Sequence, residues 1–146
     1  MNLKINLYDT LDQSIKTIDK SSLKIYACGV TVYDDIHIGH ARLYSCIDIF
    51  LRLLTHLNIE YKYVRNITDV DDKIIKKANA TNGNIIEVTE KYAKKMHECF
   101  DKMHLLSPDS EPKASHSIKE ILELINTLLE LIDILSKLID ILLEFI

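Results

Sequence analysis

The 146-residue chain has no tryptophan, three glycines and two prolines. Gly29, Gly39 and Gly83 lie too far apart to form the glycine-rich turn of a dinucleotide site or the lysine-bearing loop of a P-loop kinase, which argues against both classes. The three cysteines, Cys28, Cys46 and Cys99, are odd in number and contain no CxxC pair. A disulfide framework is therefore not expected, and a reducing, cytoplasmic setting is. No charged-then-apolar leader opens the chain. Its most apolar stretch is broken by Asp133, Lys137, Asp140 and Glu144, so no membrane span is expected. Net positive charge is lacking as well, the formal value being −4. Any contact with nucleic acid must come from a local patch or from parts beyond this chain. Two lysine groups exist, Lys73, Lys76 and Lys77, then Lys91, Lys94 and Lys95, and both read as solvated helix faces.

What is present is an ordinary folding composition, 47% apolar and 27% charged. Leu3 to Tyr8 and Ile15 to Ile18 read as two short strands joined by a polar turn from Asp9 to Ser14. Leu23 to Cys28 reads as a buried strand, and Gly29 to Ile38 as a loop. From Gly39 or His40 to Leu57 apolar residues recur at helical spacing (Leu43, Ile47, Phe50, Leu54, Leu57), widened by Cys46, Ile49 and Leu53. A strand over Ile59 to Val64 follows. Helices are then expected from Asp69 to Asn79 and from Ile86 to His104, and a loop from Leu106 to Ser115 holding Pro108 and Pro112. Strand, loop, helix and strand in that order make a β-α-β unit with parallel strands, whose ligands bind at the carboxyl ends. Cys28 and the segment Asn66 to Asp69 should face that site.

After Ser117 the pattern changes. Ser117 and Glu120 suggest a capping box. Ile118, Ile125, Ile132, Ile139 and Ile146 are spaced by seven, with Ile121, Leu128, Leu135 and Leu142 interleaved. This is a heptad helix of coiled-coil type. Leu124, Leu131, Leu138 and Phe145 widen its stripe beyond a two-stranded seam, so it needs a partner surface.

The chemistry concentrates at His37-Ile38-Gly39-His40, where a helix begins. A helix N-terminus offers unpaired N–H groups and partial positive charge. Glycine at 39 lets a ligand approach the backbone. The two imidazoles can donate to phosphate oxygens as charge develops on them. Cys28 offers a thiolate metal ligand, but zinc needs three or four and no ligand spacing relates it to Cys99, His97, His104 or His116. From the residues alone it reads as a structural cysteine. Asn66 to Lys73 holds three acids and a threonine. Asp71 and Asp72 read as helix caps, whereas Thr68 and Asp69 lie nearer the strand end and remain open to substrate or metal contact.

Three longer motifs give these residues a family. Tyr26-Ala27-Cys28-Gly29-Val30-Thr31-Val32-Tyr33-Asp34 followed by His37-Ile38-Gly39-His40-Ala41-Arg42 resembles the start of cysteinyl-tRNA synthetases. So do Tyr63 to Ile75, and Glu111-Pro112-Lys113-Ala114-Ser115-His116. The resemblance runs from about Leu3 to about Leu129. It implies an α/β, Rossmann-like class I synthetase nucleotide-binding half with parallel strands, followed by a long C-terminal amphipathic helix. Residues 1–116 would form the N-terminal part of the catalytic domain with the start of its connecting region, and 117–146 the heptad helix.

By the same resemblance the activity is cysteine–tRNA ligation. Cysteine and ATP, with its magnesium, give cysteinyl-adenylate, and the cysteine then passes to tRNA. His37 and His40 would be catalytic; Val30, Thr31, His37, Gly39 and His40 would bind ATP; Gly29, Thr68 and Asp69 would meet substrate. Cys28 matches the family's first zinc ligand, a soft metal–thiolate site that discriminates cysteine from serine. Members of the family are several times longer. The other zinc ligands, the lysine- and serine-rich second ATP signature and the anticodon-binding region have no counterpart here. The chain is thus expected to hold one half of an active site and to be incomplete alone. Two other readings stay open. One is a non-catalytic module that self-associates, or docks a missing C-terminal half, through residues 118–146. The other is a cysteine-adenylating ligase with an amino-sugar acceptor.

Overall fold

The computed structural model describes residues 4–18 and 22–143, with the side chains of the last helix described through residue 137. Leu3 and the heptad side chains at Leu138, Ile139, Leu142, Phe145 and Ile146 lie outside them. β1 (Ile5–Asp9) and β2 (Ser14–Ile18) form an antiparallel hairpin in the register Ile5 to Ile18 and Asp9 to Ser14. The Asp9 carboxylate holds the turn, accepting from the Leu11 N–H at 2.9 Å and pairing with Lys16 at 3.0 Å.

β3 (Ser22–Ala27), α1 (Ile38–His56) and β4 (Glu60–Arg65) make the expected parallel unit, with Ser22 opposite Glu60 and Ala27 opposite Arg65. The pairing resumes beyond the named strands, where Thr68 donates to the Val30 carbonyl and Val32 to the Thr68 carbonyl, each at 3.2 Å. α2 (Asp72–Ala80), α3 (Ile85–Lys102), a 3-10 turn (Ala114–Ser117) and α4 (Ile118–Leu143) follow.

Four features depart from the sequence reading. First, α2 starts at Asp72 rather than Asp69, because Asp71 caps it by accepting from Lys73 N–H at 2.8 Å while Asp69 is buried elsewhere. Second, the expected loop 106–115 contains a third, interrupted parallel strand. Asp109 N–H donates to Tyr63 O at 2.8 Å, Arg65 N–H to Ser110 O at 3.2 Å, Ile67 N–H to Pro112 O at 2.9 Å and Ala114 N–H to Ile67 O at 3.0 Å. In a regular ladder residue 112 would donate to Arg65, and proline has no N–H to give, so the strand breaks there. Third, the inward face of α1 only partly matches the expected stripe: Leu54 is buried and Ile47 packs against the core as expected, but Tyr44 and Leu51 join them in place of Leu43 and Ile49. Leu43 is 49% and Ile49 67% exposed. Fourth, Ser117 does not cap α4. The 3-10 turn already has helical backbone, and the Ser117 hydroxyl donates back to Lys113 O at 3.5 Å.

With so few glycines, the helices end on other residues. Asn58, Asn82 and His104, each just past a helix C-cap, take left-handed backbone with φ of 54°, 50° and 55°. The turn after α3 is tied to α1, since Arg52 donates to His104 O at 2.7 Å and Leu106 N–H to Asp48 at 2.8 Å.

The core joins Ala27 and Tyr63 of the sheet, Tyr44 and Leu51 of α1, Ile74 and Ala78 of α2, and Met96 and Phe100 of α3. Leu51, Leu54 and Ile74 are at most 1% exposed, each gaining about 1.5–3 kcal/mol from burial. One charge lies within it. The Arg65 guanidinium is 4.6 Å from the Phe100 ring centroid and 5.2 Å from that of Tyr44. It donates to Glu111 at 2.6 Å, and the other oxygen of Glu111 meets His97 Nε2 at 2.6 Å.

Removing one partner of such a buried pair strands the other. Glu111→Ala is therefore expected to cost about 3–5 kcal/mol, read as a lowered urea midpoint. A loss under about 1 kcal/mol would place the pair among exposed, weak ones.

Candidate active site

The amino end of α1 opens on a cleft of about 250 Å³ lined by Gly29, Val30, Thr31, Tyr33, Asp34, Asp35, His37, His40 and Lys73. It lies past the carboxyl end of β3, on the side the order of elements predicts, with Lys73 of α2 at its edge. Cys28 and the segment Asn66 to Asp69, expected to face it, are not among its lining residues. Val30, Thr31, His37 and His40 are thereby brought together at one opening.

The two histidines form a capping box. His37 is the N-cap, and its Nδ1 accepts from Gly39 N–H at 3.1 Å. His40 Nδ1 in turn accepts from His37 N–H at 3.2 Å. A backbone N–H can only donate, so both Nδ1 atoms are unprotonated and both ring protons sit on Nε2. The rings stack with centroids 4.0 Å apart. Burial, and then the neighbouring His37, holds the His40 pKa below its ordinary 6.5. Gly39 serves this geometry, because a Cβ there would lie 2.8 Å from His37 Cε1.

Gly29 marks a closer crossing. A Cβ on it would sit 1.5 Å from the Asn66 carbonyl oxygen. Its N–H donates to Asn66 Oδ1 at 2.7 Å, and the Tyr26 hydroxyl donates to the same atom at 2.9 Å. The Asn66 amide then donates to the Thr68 hydroxyl at 3.1 Å. Asn66 thus joins the two strand ends and orients Thr68. Asp69 is 7% exposed, and its two oxygens accept from the Ser115 N–H at 2.9 Å and hydroxyl at 2.5 Å.

The loop between β3 and α1 is held by two ion pairs absent from the sequence reading. Lys77 of α2 reaches Asp34 at 3.4 Å, and Lys95 of α3 reaches Asp35 at 2.7 Å. The Asp35 N–H, and then the two lysine charges, hold the Asp34 carboxyl below the usual range. One lysine from each cluster is therefore tied to this loop rather than simply solvated. Lys73 lines the cleft, its ammonium 5.4 Å from the Tyr33 ring. Tyr33, Asp34, Asp35 and Lys73 were not singled out as site residues from sequence. Their only signal was their position in the motifs flanking His37 and Asp71.

Cys28 is an exposed free thiol just past β3, and its carbonyl accepts from the Tyr44 hydroxyl at 2.7 Å. Burial pushes the Tyr44 pKa up to about 12, so it stays a donor. Among the described residues no group of three His, Cys, Asp or Glu is placed to hold a metal. Cys28 alone does not fit zinc, which needs three or four ligands.

Residues 14–132 match the family described as the tRNA synthetases class I (C) catalytic domain. A cysteine–tRNA ligase of Pseudoalteromonas translucida is 44% identical over 124 residues, covering 83% of this chain and 27% of that protein. One from Salmonella paratyphi B is 43% identical over 126 residues, covering 84% and 27%. The chain thus spans about a quarter of the length of the curated relatives it matches.

Two stability experiments separate the glycines and the histidine. Gly29→Ala forces two backbones apart and is expected to cost more than about 4 kcal/mol, whereas Gly39→Ala displaces a cap worth about 0.5–2 kcal/mol. Equal urea midpoints for the two variants would contradict this ordering. Because the folded His40 pKa lies below 6.5, the unfolded chain binds its proton first as pH falls. The His40 contribution is complete above pH 6.5 and is lost as pH drops through the lowered folded value. Unfolding midpoints between pH 7.5 and 5 should show this loss, and His40→Gln should flatten it.

Proposed function

The chain belongs to the family of class I (C) tRNA synthetase catalytic domains, and on that premise we propose that it supplies the ATP-binding half of a cysteine-activating site in a Rossmann-like domain. In the reaction the cysteine carboxylate oxygen attacks the α-phosphorus of magnesium-bound ATP. The bond to the β-phosphate bridging oxygen breaks, pyrophosphate leaves and cysteinyl-adenylate forms. The complete protein then passes the cysteine to tRNA, in a cytoplasmic setting consistent with its three free thiols.

The observation that carries this reading is the pair of Nε2–H groups fixed by the capping box at the mouth of the cleft. Both are neutral donors, held in place before any ligand arrives, and both can follow negative charge as it grows on the phosphate oxygens. The N-terminal dipole of α1 adds to their field. Val30 and Thr31 contribute to the same opening and Lys73 brings its ammonium to it, while Gly39, its N–H given to His37, serves by making room for the His37 ring. Gly29 and Thr68 lie where the two strand ends cross and would meet the amino acid. We assign Asp69 a positioning role, through Ser115, on the segment that presents Thr68.

Direct ATP binding to the 146-residue chain tests the reading. His37→Ala and His40→Ala should each weaken ATP binding by about tenfold or more, the value of a hydrogen bond to a charged group. Cysteine-dependent exchange of pyrophosphate into ATP by this chain alone should be slight. ATP binding indifferent to both substitutions would sink the assignment.

A further inference from the structure

Lys77 of α2 and Lys95 of α3 hold their ammonium groups 5.5 and 5.4 Å from the centroid of the buried Tyr92 ring. From there they reach Asp34 and Asp35 of the loop before α1, at 3.4 and 2.7 Å. We propose that these two lysines are positioning residues of the cleft: acting through Asp34 and Asp35, they turn its field from negative to positive and so let it take the phosphate chain of a nucleotide. This inference rests on the ATP reading of the cleft.

The groups that line the cleft have the wrong balance of charge for such a ligand. Asp34 and Asp35 are both negative at pH 7, and Lys73 is the one ammonium among the described lining residues. His37 and His40 are neutral, because each Nδ1 accepts from a main-chain N–H. The lining by itself is therefore net negative and repels phosphate. The dipole of α1 adds only about half a positive charge at its amino end, too little to offset the excess. Lys77 and Lys95 supply two whole charges beside the two carboxylates and reverse the sign.

Folding stability is a poor account of these pairs. Their four side chains are between 32% and 63% exposed, and exposed ion pairs contribute little to stability. Their field, by contrast, is felt over about 8 Å at physiological salt. That reach covers a cleft whose wall includes the same two carboxylates. Tyr92 fixes the lysines on this side of the molecule, since an aromatic face attracts ammonium groups. Lys91 approaches the same ring at 5.4 Å. Three ammonium groups around one ring place a positive region beside the loop that opens the cleft.

Titration of the full chain with ATP in EDTA reads the outcome. Lys77→Gln with Lys95→Gln should weaken binding about tenfold, whereas Asp34→Asn with Asp35→Asn should tighten it about threefold. Both double variants break the same two pairs, so loss of loop position alone would weaken binding in each. Opposite signs are the mark of charge. The variant with all four substitutions should return close to the unchanged chain, and raising the salt concentration should shrink both effects. Urea midpoints should stay near that of the unchanged chain, because the pairs are exposed. Weakening in both double variants, or a change in neither, overturns this proposal alone if His37→Ala still weakens ATP binding. An unchanged chain that binds no ATP overturns the ATP reading along with it.

Discussion

The Arg65 guanidinium is where the separate elements of this chain meet. It leaves β4, stacks beside Tyr44 of α1 and Phe100 of α3, and pairs with Glu111 on the interrupted third strand. Tyr44 carries the linkage to the end of β3 through the Cys28 carbonyl. A lone buried charge would be unfavourable by several kcal/mol, so the fold can accept Arg65 only with all these partners assembled. Geometry at the cleft is inherited from that assembly, because α1 and both strand ends are positioned by it.

The site itself rests on close backbone approach rather than on a large cavity. At Gly29 the two strand ends pass too near for any side chain, and Asn66 fastens the crossing through three hydrogen bonds. At Gly39 the missing side chain makes room for the ring of His37. The histidines are thus fixed at their Nδ1 atoms by main-chain donors and left free at Nε2. Ion pairs from α2 and α3 hold the intervening loop, so all the helices that precede the third strand have a part in shaping one opening.

Local features of this arrangement were legible in the sequence. The hairpin, the parallel β3–α1–β4 unit and the start of α1 follow from alternation, helical spacing and the glycine at 39. The clustering of Val30, Thr31, His37 and His40 follows from their place after β3. Features that depend on distant partners were not legible. The apolar residues of α1 nearly encircle it, so periodicity alone did not separate Tyr44 from Leu43. The third strand was hidden by Pro108 and Pro112, which signal a loop although only one ladder bond is lost. Asp69 looked like an acid open to ligands because Ser115, its partner, lies 46 residues away in the chain.

The left-handed residues that close α1, α2 and α3 give the molecule an uneven distribution of strain. Each non-glycine residue in that conformation carries a backbone penalty of about 1 kcal/mol, eased somewhat for asparagine. Asn58, Asn82 and His104 all sit outside the set of residues that lines the cleft. The slack available for hardening this protein against heat therefore lies at helix ends that do not line the cleft. The two glycines that the cleft does depend on are positions where no such adjustment is free. Durability and chemistry are written into different parts of the same short chain.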